Sequence, residues 1–295
     1  MADSYLAERL DFLRRTQNPD GGWGYFPQKQ SWLEPTAYAI MALAGDSAAD
    51  KAWALLKSWQ LPDGSSKPSA DVHMGSWSTS LAVTIAIARG EDDESLKKAV
   101  TWLLGSAGVE SNWINRAAAQ LGLLKAGRDL SLKGWPWKDG TSSWVEPTSH
   151  ALIALKLAAL KKTKAGAADP SDLAERVRLG QAQLLDVRCA DGGWNYGSRA
   201  VLDDDLRSYP ETTAIGLLGL QGGKGIDTTI ALAKKLVQEN PAPMARAWLT
   251  VALRLHGVQP PALTNPPSPD ILITAVEALA DPEGNYNLMR TESVT

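Results

Sequence analysis

A tight turn ending in tryptophan recurs along this chain, and it limits the possible folds more than any other feature. Gln17-Asn18-Pro19-Asp20-Gly21-Gly22-Trp23-Gly24 returns as Ala190-Asp191-Gly192-Gly193-Trp194-Asn195, with weaker copies at Gln60-Leu61-Pro62-Asp63-Gly64 and Asp281-Pro282-Glu283-Gly284-Asn285-Tyr286. Asp-Gly-Gly favours a turn through positive φ, and the tryptophan after it can pack back as an anchor. A second motif follows the turn. Trp32-Leu33-Glu34-Pro35-Thr36-Ala37 is repeated as Trp144-Val145-Glu146-Pro147-Thr148-Ser149, and Tyr209-Pro210-Glu211-Thr212-Thr213-Ala214 is a third version. Trp77-Ser78-Thr79 and Trp113-Ile114-Asn115 keep the aromatic and place a smaller polar group at the Glu position. Recurring units of this length are read first as repeat architecture.

Two kinds of helix alternate between these turns. One is amphipathic, as where Leu6, Leu10, Leu13 and Gln17 share a face, with further examples starting near Asp50, Ser95, Ser171, Asp227 and Pro269. The other is nearly free of charge around its circumference, over residues 37–44, 81–88, 117–124, 151–157, 214–220 and 247–253. A helix that is apolar all round must be buried on all sides. Six of each predict an inner ring inside an outer ring: an all-α, (α/α)6 toroid formed by residues 1–295 as a single domain. The order reads outer-inner up to about residue 127 and inner-outer from about 144. This predicts half-toroids at about 1–127 and 144–295, joined by a crossing loop over 128–143 that carries Trp135 and Trp137. Residues 260–269 form a second irregular stretch.

Composition excludes some functions. With 44% hydrophobic and 21% charged residues, a sizeable core can be buried. A net charge of −3 gives no basic face for nucleic acid. The lone Cys189 rules out an internal disulfide and a Cys-rich zinc site. No apolar run is long enough for a transmembrane segment, and Met1 to Leu6 lead into a helical pattern without a leader, so a cytoplasmic location is expected. No cofactor and no metal are expected.

These motifs resemble those of the terpenoid cyclase and protein prenyltransferase superfamily. The Gln-x-x-Asp-Gly-Gly-Trp turns are similar to the QW motifs of squalene cyclases. Glu34-Pro35-Thr36-Ala37-Tyr38-Ala39 is similar to the inner-helix motif shared with prenyltransferase β subunits. The resemblance runs through the whole chain and implies an α/α toroid around an apolar cavity. It also implies class II-type isoprenoid cyclisation, an intramolecular transferase (isomerase) reaction. In that frame Glu211 falls on the proton-donor position, with Asp204 and Asp205 of the Asp203-Asp204-Asp205 loop assisting, but Tyr209 and Thr212 stand where acidic neighbours belong. Glu34, Glu146, Tyr38, Trp135, Trp137 and Tyr209 are the expected substrate-binding residues. Glu34, Glu146 and Glu211 would gather at one mouth if the inner helices are parallel, with Thr79 and Asn115 completing a polar ring.

Each of these residues has a structural reading as well. A glutamate in the first turn suits the helix dipole, a turn tryptophan is a packing staple, and three adjacent aspartates suit a solvated loop. The zinc ligands of a protein prenyltransferase are not matched, because Cys189 precedes a turn rather than an inner helix. The alternatives left open are a non-catalytic toroid that binds a lipid or a protein partner, and a glycan-active (α/α)6 enzyme.

Overall fold

The computed structural model describes residues 3–123, 127–163, 170–201, 204–239 and 242–292. Twelve α-helices lie among them: α1 (Asp3–Thr16), α2 (Leu33–Ala42), α3 (Ser47–Ser58), α4 (Thr79–Ala88), α5 (Glu94–Gly105), α6 (Trp113–Gln120), α7 (Val145–Leu160), α8 (Pro170–Asp186), α9 (Pro210–Gly219), α10 (Asp227–Gln238), α11 (Pro243–Leu255) and α12 (Ile271–Ala280). The one β-ladder described is a two-residue hairpin, β1 (Ala200–Val201) with β2 (Asp204–Asp205).

Packing between helices traces a closed ring. α2 lies against α4, α4 against α7, α7 against α9, α9 against α11, α11 against α12, and α12 returns to α2. These six carry almost wholly buried sequences; in α2 every residue except Glu34 is buried. Around them stand α1 against α12, α3 against α2, α5 against α4, α8 against α7, and α10 against both α9 and α11. The chain is an all-α toroid of alternating inner and outer helices. Between α11 and α12 an irregular stretch takes the place of an outer helix.

Two helices have roles opposite to those predicted. α6, read as inner, has no buried residue, and its main packing among the described elements is against the 3-10 turn Val109–Ser111 before it. α12, read as outer, is an inner helix with Ile271, Thr274, Ala275 and Val276 buried. The misreading of α12 comes from Glu277, a charge inside an apolar run. It is fully buried and paired with the equally buried Arg9 of α1, whose Nε donates to it at 2.9 Å. With α6 outside the ring and α12 inside it, the inner–outer alternation does not reverse.

The recurring turn does the same structural work three times. Trp23, Trp135 and Trp194 are buried, and each indole Nε1 donates to a carbonyl of an outer helix: Leu13 at 2.8 Å, Leu103 at 2.8 Å and Leu184 at 2.7 Å. Each tryptophan's backbone N–H is accepted by a threonine hydroxyl in the first turn of an inner helix: Thr36 at 2.9 Å, Thr148 at 2.9 Å and Thr213 at 3.1 Å. Ser66 fills the tryptophan's place in a fourth copy and donates to Thr79 at 2.8 Å. The glycine φ values of +97° at Gly21, +94° at Gly64 and +91° at Gly192 are the left-handed geometry the turn needs. Gln17 and Gln60 fasten the turn to the next outer helix, donating to the carbonyls of Ala48 at 2.8 Å and Ser95 at 2.9 Å.

Candidate functional site at the mouth of the ring

The turns link neighbouring repeats at the end where inner helices begin. Two residues beyond each staple position, a backbone carbonyl accepts an N–H from the adjacent unit. Leu33 donates to Pro68 at 2.8 Å, Trp77 to Trp137 at 3.0 Å, Val145 to Tyr196 at 2.9 Å and Ile271 to Tyr25 at 2.8 Å. This series fixes the loops as a wall around one mouth of the toroid.

Glu34, Glu146 and Glu211 stand in the first turns of α2, α7 and α9, and each is half-buried. All three carboxyls are held above the ordinary glutamate range. For Glu34 the main cause is burial, opposed by the Tyr25 hydroxyl, which donates to Oε2 at 2.6 Å, and reinforced by the charges of Glu211 and Asp270. Burial also dominates at Glu146, with repulsion from Glu34 and Glu211 added, and the rise there is large. At Glu211 burial alone is responsible. No cation figures among these causes. Each of the three is half-buried, so protonation relieves desolvation at all of them and, at Glu34 and Glu146, repulsion from neighbouring carboxylates as well.

One turn deeper the lumen is filled. Tyr38 lies four residues after Glu34 and His150 four after Glu146, so each falls on the same helix face as its glutamate. The Tyr38 hydroxyl and His150 Nε2 are hydrogen-bonded at 3.0 Å. Trp248 of α11 packs edge-on to both rings, with centroids at 5.2 Å from Tyr38 and 6.2 Å from His150. α2, α7 and α11 alternate in the ring, so these side chains meet only by crossing its centre. All three are buried. Burial brings His150 down to about 3, which keeps the imidazole neutral. Trp77 lies over His150 at 5.5 Å and meets Trp137 edge-on at 5.0 Å, extending the aromatic surface toward the rim.

The structure therefore brings together Glu34, Glu146, Glu211, Tyr38 and Trp137, and it separates them from other predicted site residues. Trp135, expected to touch ligand, is instead a buried staple, with the Arg176 guanidinium 3.3 Å above its ring centroid. Asp204 and Asp205 are exposed on the hairpin strand β2, and neither contributes to the shift at Glu211. Asp203 lies outside the described residues. Tyr209 is 47% exposed and faces Tyr196 at 5.3 Å, on the rim rather than in the lumen. Thr79 is a buried staple partner, and Asn115 belongs to α6 outside the ring, where its Nδ2 donates to Val109. Sequence reasoning missed Tyr25, Trp77, Trp248 and Asp270. The signal for Tyr25 was its place two residues after a staple tryptophan, shared with Trp137 and Tyr196. Among the described residues no group of three or more His, Cys, Asp or Glu is arranged to hold a metal ion.

No protein-family model and no curated protein matches the chain. Solved structures do. Type II terpene cyclase MstE from Scytonema is 18% identical with a TM-score of 0.54, covering 95% of this chain and 77% of that one. A novel alpha-amylase from Clostridium perfringens is 12% identical with a TM-score of 0.57, covering 95% and 97%. Endoglucanase Cel10, a family 8 glycosyl hydrolase from Klebsiella pneumoniae, is 16% identical with a TM-score of 0.53, covering 92% and 97%. What they share with the chain is the fold. That fold carries more than one chemistry, so function has to be argued from the mouth itself.

Proposed function

We propose that the chain is a ligand-binding toroid whose mouth holds the polar end of an apolar, isoprenoid-like molecule. The observation that carries this reading is a set of three carboxyls without a cationic partner among the described residues, half-buried above a floor closed by Tyr38, His150 and Trp248. In their protonated form such carboxyls donate hydrogen bonds to a hydroxyl or carbonyl head group, and the aromatic faces of Trp77 and Trp137 support an apolar chain beside it. The same environment makes them weak acids, which disfavours protonation of an unactivated alkene. An isoprenoid fits the fold analogy, since a variant of MstE is described in complex with geranylgeranyl dihydroxybenzoate.

The second reading is class II-type cyclisation with Glu211 as proton donor. It is favoured by the Tyr209-Pro210-Glu211-Thr212-Thr213-Ala214 frame at the start of α9. One experiment separates the two. The purified protein is incubated with geranylgeraniol, squalene and geranylgeranyl diphosphate, bound ligand is read by native mass spectrometry and products by gas chromatography with mass spectrometry. Retained geranylgeraniol without cyclised product is expected, with binding weakened about tenfold in Glu146→Leu and kept in Glu146→Gln, which can still donate. Cyclised product that disappears in Glu211→Gln would establish the second reading instead. Absence of both binding and product overturns both.

A further inference from the structure

The inner helices begin at the mouth, so their C-terminal carbonyls gather at the opposite end of the ring. The last carbonyls of a helix lack partners within it and carry the negative end of its dipole. At four of the six ends a side chain supplies an N–H. Asn285 donates to Ala42 of α2 at 3.0 Å, Lys156 to Gly219 of α9 at 2.8 Å, Arg290 to Leu255 of α11 at 3.3 Å and Arg254 to Ala280 of α12 at 3.0 Å. All of these donors except Asn285 are cations. α4 and α7 differ, for among the described residues their last turns receive no side-chain N–H. Backbone turns close them instead, with Gly90 donating to Ile87 at 3.0 Å and Lys162 to Ala159 at 3.1 Å, and the Thr163 hydroxyl reaches Ala158 at 3.3 Å. These same two ends line a cavity of about 1080 Å³, with Ile87 and Ala88 on one side, Leu157 and Leu160 on another, and Tyr286 and Leu288 of the C-terminal segment on a third. Its walls carry three carboxylates, Glu91, Asp92 and Glu292, against two cations, Lys161 and Arg290. Arg290 is already committed to Leu255, whereas Glu292 has no hydrogen bond or ion pair among the described residues.

We propose that this cavity is a binding site separate from the mouth, and that it takes an amphiphilic amine. The apolar body of the ligand lies against Ile87, Leu157, Leu160 and Leu288. Its ammonium group meets the ends of α4 and α7, as Lys156, Arg290 and Arg254 meet the ends of the neighbouring inner helices. Glu292 adds a carboxylate that no protein cation neutralises. The volume is close to the upper size of small-molecule sites, about 1,000 Å³, and such sites pair an apolar lining with a few placed polar groups. A carboxylate or phosphate ligand would face both helix ends with the wrong sign. His150 of the buried aromatic floor precedes Leu157 by seven residues, about 10 Å along α7, so floor and cavity are distinct levels of the ring. The inference therefore does not depend on which ligand the mouth takes.

The test is isothermal titration calorimetry of the full chain with decylammonium chloride below its micellar concentration, and with decanoate of the same chain length. Ala88→Trp fills the cavity from an exposed position at the end of α4, and Glu292→Lys reverses a charge on its wall; circular dichroism melts report whether each variant folds. The parent is expected to bind decylammonium, and Ala88→Trp to weaken that binding about tenfold or more. Glu292→Lys is expected to weaken it several-fold at low salt and less at high salt. Decanoate is expected to bind this site about tenfold more weakly than decylammonium, or worse. A parent that does not bind decylammonium overturns the proposal. So does equal binding by Ala88→Trp, which places the amine elsewhere, and so does decanoate bound as tightly with the same loss in Ala88→Trp. Should Ala88→Trp fail to fold, Glu292→Lys decides: unchanged decylammonium binding at low salt overturns the proposal.

Discussion

At Glu34, one hydroxyl decides how far a buried carboxyl departs from its ordinary acidity. Burial and the charges of Glu211 and Asp270 push it up, and the 2.6 Å hydrogen bond from Tyr25 holds it back. Tyr25→Phe removes the restraint and leaves the burial, so the Glu34 carboxyl is expected to titrate higher in the variant. Carbon-13 NMR of glutamate-labelled protein measures it, and an unchanged or lower value would show that the hydroxyl does not donate to Glu34 in solution. The three glutamates were legible in the sequence because each occupies the same place in a repeated motif. Tyr25 was not, because its link to Glu34 exists only after the turn folds back over the helix. Trp135 and Trp137 show the same limit. They are two residues apart and alike in type, yet one is a buried staple and the other a rim residue. The difference lies in which one precedes Thr148 by thirteen residues, the spacing that also separates Trp23 from Thr36.

The tryptophan–threonine hydrogen bond, rather than the thirteen-residue spacing, is the element-scale rule of this fold, since Trp194 and Thr213 make it across nineteen residues. A first-turn threonine of an inner helix accepts the backbone N–H of the preceding turn, locking outer helix, turn and inner helix into one unit. Thr36→Val, Thr148→Val and Thr213→Val each keep the shape of the side chain and strand a buried N–H. Each is expected to cost about 1–3 kcal/mol in chemical denaturation. Similar losses at all three would support a common role, whereas a negligible loss at Thr148 would mean that the Trp135 turn is held by its indole alone. The inner and outer helices could be told apart from sequence wherever charge was distributed as burial demands. α6 and α12 failed for opposite reasons. α6 carries an apolar, alanine-rich run preceded by an aromatic, as the ring helices do, but all six ring positions are filled without it. α12 carries a glutamate that local pattern assigns to solvent, and only a partner 268 residues away makes its burial tolerable.

That partner closes the whole molecule, since the toroid joins its first helix to its last through Arg9 and Glu277. Besides Glu277, the Arg9 guanidinium donates to the Asn265 carbonyl at 2.7 Å and to the Tyr5 carbonyl at 3.0 Å, while Asn265 donates to the second Glu277 oxygen. Burial raises the Glu277 carboxyl above its ordinary range even though Arg9 pulls it down. Arg9→Met takes away the opposing cation and keeps the burial, so Glu277 rises further in the variant. A carboxyl whose folded pKa lies above its unfolded value contributes stability that is complete below the unfolded pKa, near 4.5, and is lost as pH rises through the folded one. The difference in stability between parent and variant must therefore widen as pH climbs from about 4.5. Near neutral pH the single substitution is expected to cost about 3–5 kcal/mol, as removal of one partner from a buried ion pair does. Arg9→Met/Glu277→Leu, which removes both charges, should recover much of that loss and show a flatter pH profile. Urea denaturation of the parent and both variants across this pH range gives the answer. A single variant whose deficit shrinks toward alkaline pH would mean that Glu277 is not held in place by Arg9, and that the ring closes through apolar packing of α12 on α2 alone.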